Sequence, residues 1–364
     1  MQHLKILSSI IIMCTTLWCM QSFAQEVPAG YPAEYSDIIA KAKQEGRLSL
    51  YSTTDEEQTK DLIDAFTKKY GIIVDFNDFG TNNAYSRTVA EAAANQMGGD
   101  IVWSSAMDLQ VKLADEGYAE TYISPEISHL PSWAVYKNMV YGATVEPVGT
   151  IYNTKAIPEN EMPKTRVELI KYLQDNKDKL KGKIGTFDPE KSGVGYLFQN
   201  NDAKNEDAHF WELAKAMGAV NVKSYSASGT MRETVVSGEN VIAINMIGSY
   251  AIDWVKNTPN LGVMFGNDYT AAFSRPVLIP KGAPHPNAAK LFIDFILSKE
   301  GQEALASKGL PSIRTDIDTG LDLDSLDEMT GGHLKPIALD STLLESLKPT
   351  TRIKFFRQWS TETK

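Results

Sequence analysis

The run Arg47-Leu48-Ser49-Leu50-Tyr51-Ser52-Thr53-Thr54 decides the fold. Polar and apolar residues alternate from Arg47 to Tyr51, which is the period of a strand. The small hydroxyl residues Ser52, Thr53 and Thr54 end it. Residues 55–70 follow, with Leu62, Ile63 and Phe66 on one face, the spacing of an amphipathic helix. The pattern then recurs. Residues 71–76 read as a second strand, Gly80-Thr81-Asn82-Asn83 as a turn, and 84–96 as a helix. Residues 100–103 read as a third strand ending at Ser104-Ser105, with a helix over 107–116. This alternation predicts an α/β fold: a parallel sheet with helices on both faces.

Each strand end carries small hydroxyl or amide residues: Ser52-Thr53-Thr54, then Thr81-Asn82, then Ser104-Ser105. Ligands of open α/β sheets sit outside the carboxyl ends of the strands. Three such loops without a catalytic acid or base predict a hydrogen-bonding rim. A second element of this kind lies further on, in Phe187-Asp188-Pro189-Glu190-Lys191-Ser192-Gly193-Val194-Gly195-Tyr196. Residues 184–187 read as a strand, Pro189 and Ser192-Gly193 break it, and a helix opens. A helix start has N–H groups without acceptors and a partial positive charge, which suits an anion. Ser192 adds a hydroxyl, and Gly193 admits a ligand close to the backbone. The plainer reading of Ser192 is a helix cap.

The first residues, Met1-Gln2-His3-Leu4-Lys5, an apolar run over 6–20 and Ser22-Phe23-Ala24 resemble a secretory leader cut after Ala24. Trp18 stands where a lipid-modified leader ending at Cys19 needs a small residue. Cys14 and Cys19, the two cysteines, fall inside this leader. Its removal leaves 340 of 364 residues without cysteine. Disulfides, thiol catalysis and cysteine-held metals are then excluded from the mature chain, and its length suits two lobes. The formal net charge of −10 argues against nucleic acid as a partner. An anionic ligand must therefore be held by local groups.

No His-Glu-x-x-His, phosphate-loop or Gly-x-Ser-x-Gly motif occurs. His129, His209, His285 and His333 are scattered. Asp188 and Glu190 read as turn carboxylates, and residues 316–324 lack the offsets of a calcium loop. Trp133, Tyr136 and Tyr141 fit core packing. No catalytic set, metal site or cofactor is expected.

Several stretches resemble the periplasmic solute-binding proteins of ABC importers. They are Leu48-Ser49-Leu50-Tyr51-Ser52, Asp100-Ile101-Val102-Trp103, Gly149-Thr150-Ile151-Tyr152-Asn153, Ser237-Gly238-Glu239 and Pro280-Lys281-Gly282-Ala283-Pro284-His285-Pro286, followed by Ser298-Lys299-Glu300-Gly301-Gln302. Within that family the chain is similar to the branch that includes ferric-ion-binding and sugar-phosphate- or phosphonate-binding proteins. The resemblance implies a type II, two-lobed fold with a ligand cleft between lobes. It implies a first lobe over 25–147 with 277–311 and a second over 148–276 with 312–364. It also implies a monomer in the periplasm that delivers a small solute to an inner-membrane ABC permease.

In the iron-binding relatives a helix start like Ser192-Gly193-Val194 holds the anion that accompanies the metal. Their paired tyrosines correspond to Gly248-Ser249-Tyr250-Ala251, where one tyrosine is missing. Ferric ion needs several anionic oxygens, so the departure favours an anionic organic solute such as a sugar phosphate or phosphonate. The expected ligand residues are Ser52, Thr53, Thr54, Thr81, Asn82, Ser104, Ser105, Ser192, Gly193, Val194, Ser228, Gly229, Thr230, Asn245 and Tyr250. Arg275, on a crossing segment, is the expected charge partner. Ferric-ion binding, a receptor feeding a sensor kinase or chemoreceptor, and a hydrolase or transferase on a similar scaffold stand as alternatives.

Overall fold

The computed structural model describes residues 27–205 and 208–364. The expected leader with its cut after Ala24 lies outside the described residues. The strands are β1 (Arg47–Ser52), β2 (Ile73–Asp78), β3 (Ile101–Trp103), β4 (Val135–Tyr136), β5 (Val140–Gly142), β6 (Glu146–Asn153) and β7 (Ile184–Phe187). After them come β8 (Lys223–Tyr225), β9 (Ile242–Ile247), β10 (Leu261–Met264), β11 (Thr270–Phe273), β12 (Pro276–Leu278) and β13 (Leu334–Pro336).

They form two sheets, one per lobe of a type II fold. The first runs β2-β1-β3-β12-β5-β4. As the alternation predicts, β1 lies parallel to β2 and β3, with Leu50 opposite Ile101. The second runs β13-β11-β6-β9-β7-β8, with β10 also on β6. Here β7 is parallel to β8 and β9, while β6 is antiparallel to β9. All eight residues of β6 are buried, as a central strand covered on both faces requires.

Helix Glu56–Tyr70 buries Leu62, Phe66 and Tyr70. It ends at Gly71, whose φ of 73° is left-handed and whose N–H reaches Thr67 O. Phe66 meets Phe292 and Phe295 at 5.1 and 5.5 Å between ring centres, fastening this helix to Pro286–Leu297. The expected turn at Gly80 to Asn83 is instead the first turn of helix Thr81–Ala93. The Ala84 N–H donates to Gly80 O at 3.0 Å and closes it.

The chain passes from β5 in the first sheet to β6 in the second, and returns from β11 to β12. A third crossing leads from β12 to β13, and charge joins the first two. Arg275 Nε donates to Glu146 Oε1 at 2.7 Å and Nη2 to Oε2 at 3.0 Å, with both side chains fully buried. Gln302 braces the same region, donating to Ala143 O at 2.9 Å and accepting from Ile313 N–H at 2.8 Å. No helix among the described residues is long and apolar enough to cross a membrane.

Candidate functional site

A cavity of about 480 Å³ lies between the two lobes. Helix starts supply much of its wall. From the first lobe come Thr53 and Asp55 before helix Glu56–Tyr70, Phe79 to Thr81 before and in helix Thr81–Ala93, and Ser105 ahead of helix Met107–Asp115. The second lobe contributes Ser192 and Val194, the stretch Ser226 to Thr230 with Glu233, and Ile247 with Tyr250. These belong to the starts of helices Gly193–Lys204, Ser228–Ser237 and Gly248–Asn257.

The helix at Ser192 is partly satisfied from within. Ser192 Oγ accepts the Gly195 N–H at 3.2 Å, so the cap reading of this serine is correct. The Gly193 N–H crosses to the other lobe and donates to Thr81 Oγ1 at 3.0 Å. Val194 N–H has no partner among the described residues. Helix Ser228–Ser237 is more open. No side chain caps it, and the N–H groups of Ser228, Gly229 and Thr230 have no acceptor among the described residues. A Cβ added at Gly229 meets nothing within 4 Å. Free N–H groups at a helix start, with the helix dipole behind them, suit an anion.

The lobes also touch directly. Asn82 Nδ2 donates to Lys191 O at 3.2 Å, and Asp55 N–H donates to the Tyr250 hydroxyl at 3.0 Å. Burial holds that hydroxyl well above the usual tyrosine range, against the pull of nearby Arg275.

The same arrangement of two sheets, crossings and cleft occurs in known proteins. Residues 61–329 match the family model described as bacterial extracellular solute-binding protein. The chain is a bacterial extracellular solute-binding protein. A crystal structure of the substrate-binding protein of an ABC transporter from Agrobacterium tumefaciens is 33% identical, with a TM-score of 0.83, over 87% of this chain and 94% of that one. The periplasmic binding protein AfuA of Actinobacillus pleuropneumoniae, solved with fructose-6-phosphate, superposes with a TM-score of 0.70 at 23% identity over 87% of this chain and 98% of that one. A Salmonella typhimurium periplasmic protein provisionally described as 2-aminoethylphosphonate-binding is 27% identical over 70% of this chain and 74% of that one. The protein is thus the solute-binding component of an ABC transporter.

Within this solute-binding protein, the expected residues do not all reach the cleft. Thr53, Thr81, Ser105, Ser192, Val194, Ser228, Gly229, Thr230 and Tyr250 line it. Asn82 and Gly193 instead form the contact between lobes. Ser52, Thr54 and Ser104 are buried and serve the backbone or the core. Ser52 Oγ accepts from Thr54 N–H at 3.0 Å, Ser104 Oγ from Ala106 N–H at 3.3 Å, and Thr54 Oγ1 from Arg275 Nη1 at 3.2 Å.

Arg275 departs from its expected role. Glu146 takes up its charge, and its guanidinium lies 4.7 Å from the centre of the Tyr250 ring, behind the cavity wall. Nor does Asn245 reach the cleft. Its amide donates to Asp202 Oδ2 at 3.2 Å, and it lines a separate void of about 20 Å³ beside Arg166 and Tyr269. Sequence reasoning missed the carboxylates of the cleft: Asp55, Asp78 and Glu233. Asp55 is legible as the residue right after the Ser52-Thr53-Thr54 rim, whereas Asp78 and Glu233 carry no local signal. His129, His209 and His285 each pair with one carboxylate, Asp316, Glu212 and Asp100.

Proposed function

We propose that the protein is a periplasmic receptor that captures a small anionic organic solute, a sugar phosphate, phosphonate or similar, and presents it to an inner-membrane permease for import. One observation carries this reading: helix starts with free N–H groups, at Val194 and at Ser228 to Thr230, face one cleft between two lobes. Closure of the lobes over the solute is the functional event, and no chemical step on the solute follows. The solutes named for two of the relatives carry a phosphoryl or phosphonyl group, which agrees with this chemistry. The lobes are taken as 25–147 with 277–311 and 148–276 with 312–364.

A ferric site fits less well. Ferric ion requires several ionised oxygen ligands converging on one point, and among the described residues no three His, Cys, Asp or Glu side chains are grouped closely enough to hold a metal.

A thermal-shift screen of sugar phosphates, phosphonates, dicarboxylates and ferric salts tests the reading. A shift with an organic phosphate or phosphonate, recovered chemically unchanged, is the expected result. Stabilisation by iron plus an anion alone overturns it, and so does turnover of the bound compound.

A further inference from the structure

The charged side chains in the cleft are all of one sign. Asp55, Asp78 and Glu233 line it, and among the described lining residues there is no lysine or arginine. These carboxylates make no hydrogen bond or ion pair among the described residues. Asp55 holds the position before helix Glu56–Tyr70 yet makes no cap hydrogen bond, although an aspartate there ordinarily folds back onto the helix N–H groups. It stands beside Asp78, because β1 and β2 place Ser52 opposite Asp78 and the chain reaches Asp55 three residues later. Burial, and then the charge of Asp78, raise the Asp55 carboxyl above its ordinary range, while Arg275 opposes them. The first-lobe wall is thus short of positive charge.

The second-lobe wall carries one carboxylate, Glu233, but otherwise presents donors. Besides the free N–H groups at Ser228 to Thr230, Ser228 as a residue is only 8% exposed and lines the cavity, and its hydroxyl has no hydrogen-bond partner among the described residues. The hydroxyl opens onto the cavity, so a ligand there can complete its hydrogen bonds. Anion-seeking donors at Ser228 to Thr230 and cation-seeking carboxylates at Asp55 and Asp78 therefore line a single cavity from different lobes.

We infer that the solute is zwitterionic: a small organic anion carrying a protonated amine, its anionic group on Ser228 to Thr230 and Val194, its ammonium between Asp55 and Asp78. This rests on the anion-binding reading of the cleft. A polyol phosphate also gives the carboxylates hydroxyl donors, but it leaves their charge beside that of the phosphate. An ammonium satisfies both walls.

Calorimetric titration of the full chain with matched pairs tests this. The pairs are O-phosphoethanolamine against 2-hydroxyethyl phosphate, and 3-aminopropylphosphonate against 3-hydroxypropylphosphonate, with glucose 6-phosphate alongside. The amino member of a pair should bind at least tenfold more tightly, and Asp55→Asn and Asp78→Asn should each shrink that gap by tenfold or more. Equal binding within both pairs, or binding of glucose 6-phosphate alone, overturns the zwitterion and leaves the anion-binding reading standing. A gap unchanged in both variants overturns the roles of Asp55 and Asp78. Binding of none of these compounds sinks both readings.

Discussion

Ser192 and Ser228 are both buried serines on the cleft wall, but their hydroxyls do different things. Ser192 Oγ accepts the Gly195 N–H and caps its helix; Ser228 Oγ bonds nothing among the described residues. Ser192→Ala should therefore lower stability by ~0.5–2 kcal/mol, the usual worth of such a cap. Ser228→Ala removes no internal bond, so urea unfolding should be nearly unchanged. If Ser228 donates to an anion, its loss weakens binding by ~1.5–3 kcal/mol, roughly tenfold to a hundredfold. Parallel urea and calorimetric titrations of the two variants check this. Unchanged affinity in Ser228→Ala would show that the anion rests elsewhere. Arg275 teaches the same lesson at residue scale. Its position near a crossing was legible, but its partner Glu146 lies 129 residues away, and nothing local in the sequence links the two.

At the scale of elements, helix Pro286–Leu297 is tied to the first lobe through one buried acid. Asp294 accepts from the hydroxyls of Tyr35 at 2.7 Å, Ser124 at 2.6 Å and Tyr122. Burial lifts its carboxyl to about 7, against those three donors. A folded-state value above the unfolded one means that the folded chain holds the proton more tightly. The stability this group contributes is full below the unfolded value near 4 and is lost as pH rises through about 7. Urea unfolding at pH 5 and pH 8 should thus show a fall in wild type that is much smaller in Asp294→Asn; parallel pH profiles would refute it. This helix was legible in Leu291-Phe292-Ile293 and Phe295-Ile296-Leu297, two short apolar runs separated only by Asp294. So were β1 to β3, where alternation and helix spacing agree. The strands β8, β10, β11 and β13 have three or four residues each and no clear alternation. Their pairing is set by distant partners, such as Thr270 with Leu334. The cleft divides in the same way. Small residues at strand and helix ends announced its hydrogen-bonding wall, whereas Asp78 and Glu233 become cleft residues only once two lobes are brought together.

On the scale of the whole molecule, the lobes meet at Gly193. Its N–H donates to Thr81 Oγ1, and a Cβ built there falls 2.8 Å from Thr81 Oγ1 and 2.9 Å from Asn82 Oδ1. Leu109 Cδ1 stands behind at 3.3 Å. The sequence suggested a glycine that lets a ligand approach the backbone; the structure shows one that lets the opposite lobe approach. The φ of Gly193 is not in the left-handed region, so a side chain there strains the closed contact rather than the chain itself. In Gly193→Val the Thr81 and Asn82 side chains must turn away, losing the Gly193–Thr81 bond, or the lobes must part, while the open form is little affected. A ligand that draws its affinity from closure then binds more weakly, by the factor through which the closed population falls. The variant should keep its unfolding midpoint without ligand and lose tenfold or more in affinity for the best compound of the screen. Small-angle scattering separates this from a lost ligand contact. At saturating ligand, wild type should contract and Gly193→Val should remain nearer its unliganded radius. Full contraction of the variant, with affinity still reduced, would place the defect at the solute and not at the hinge between open and closed forms.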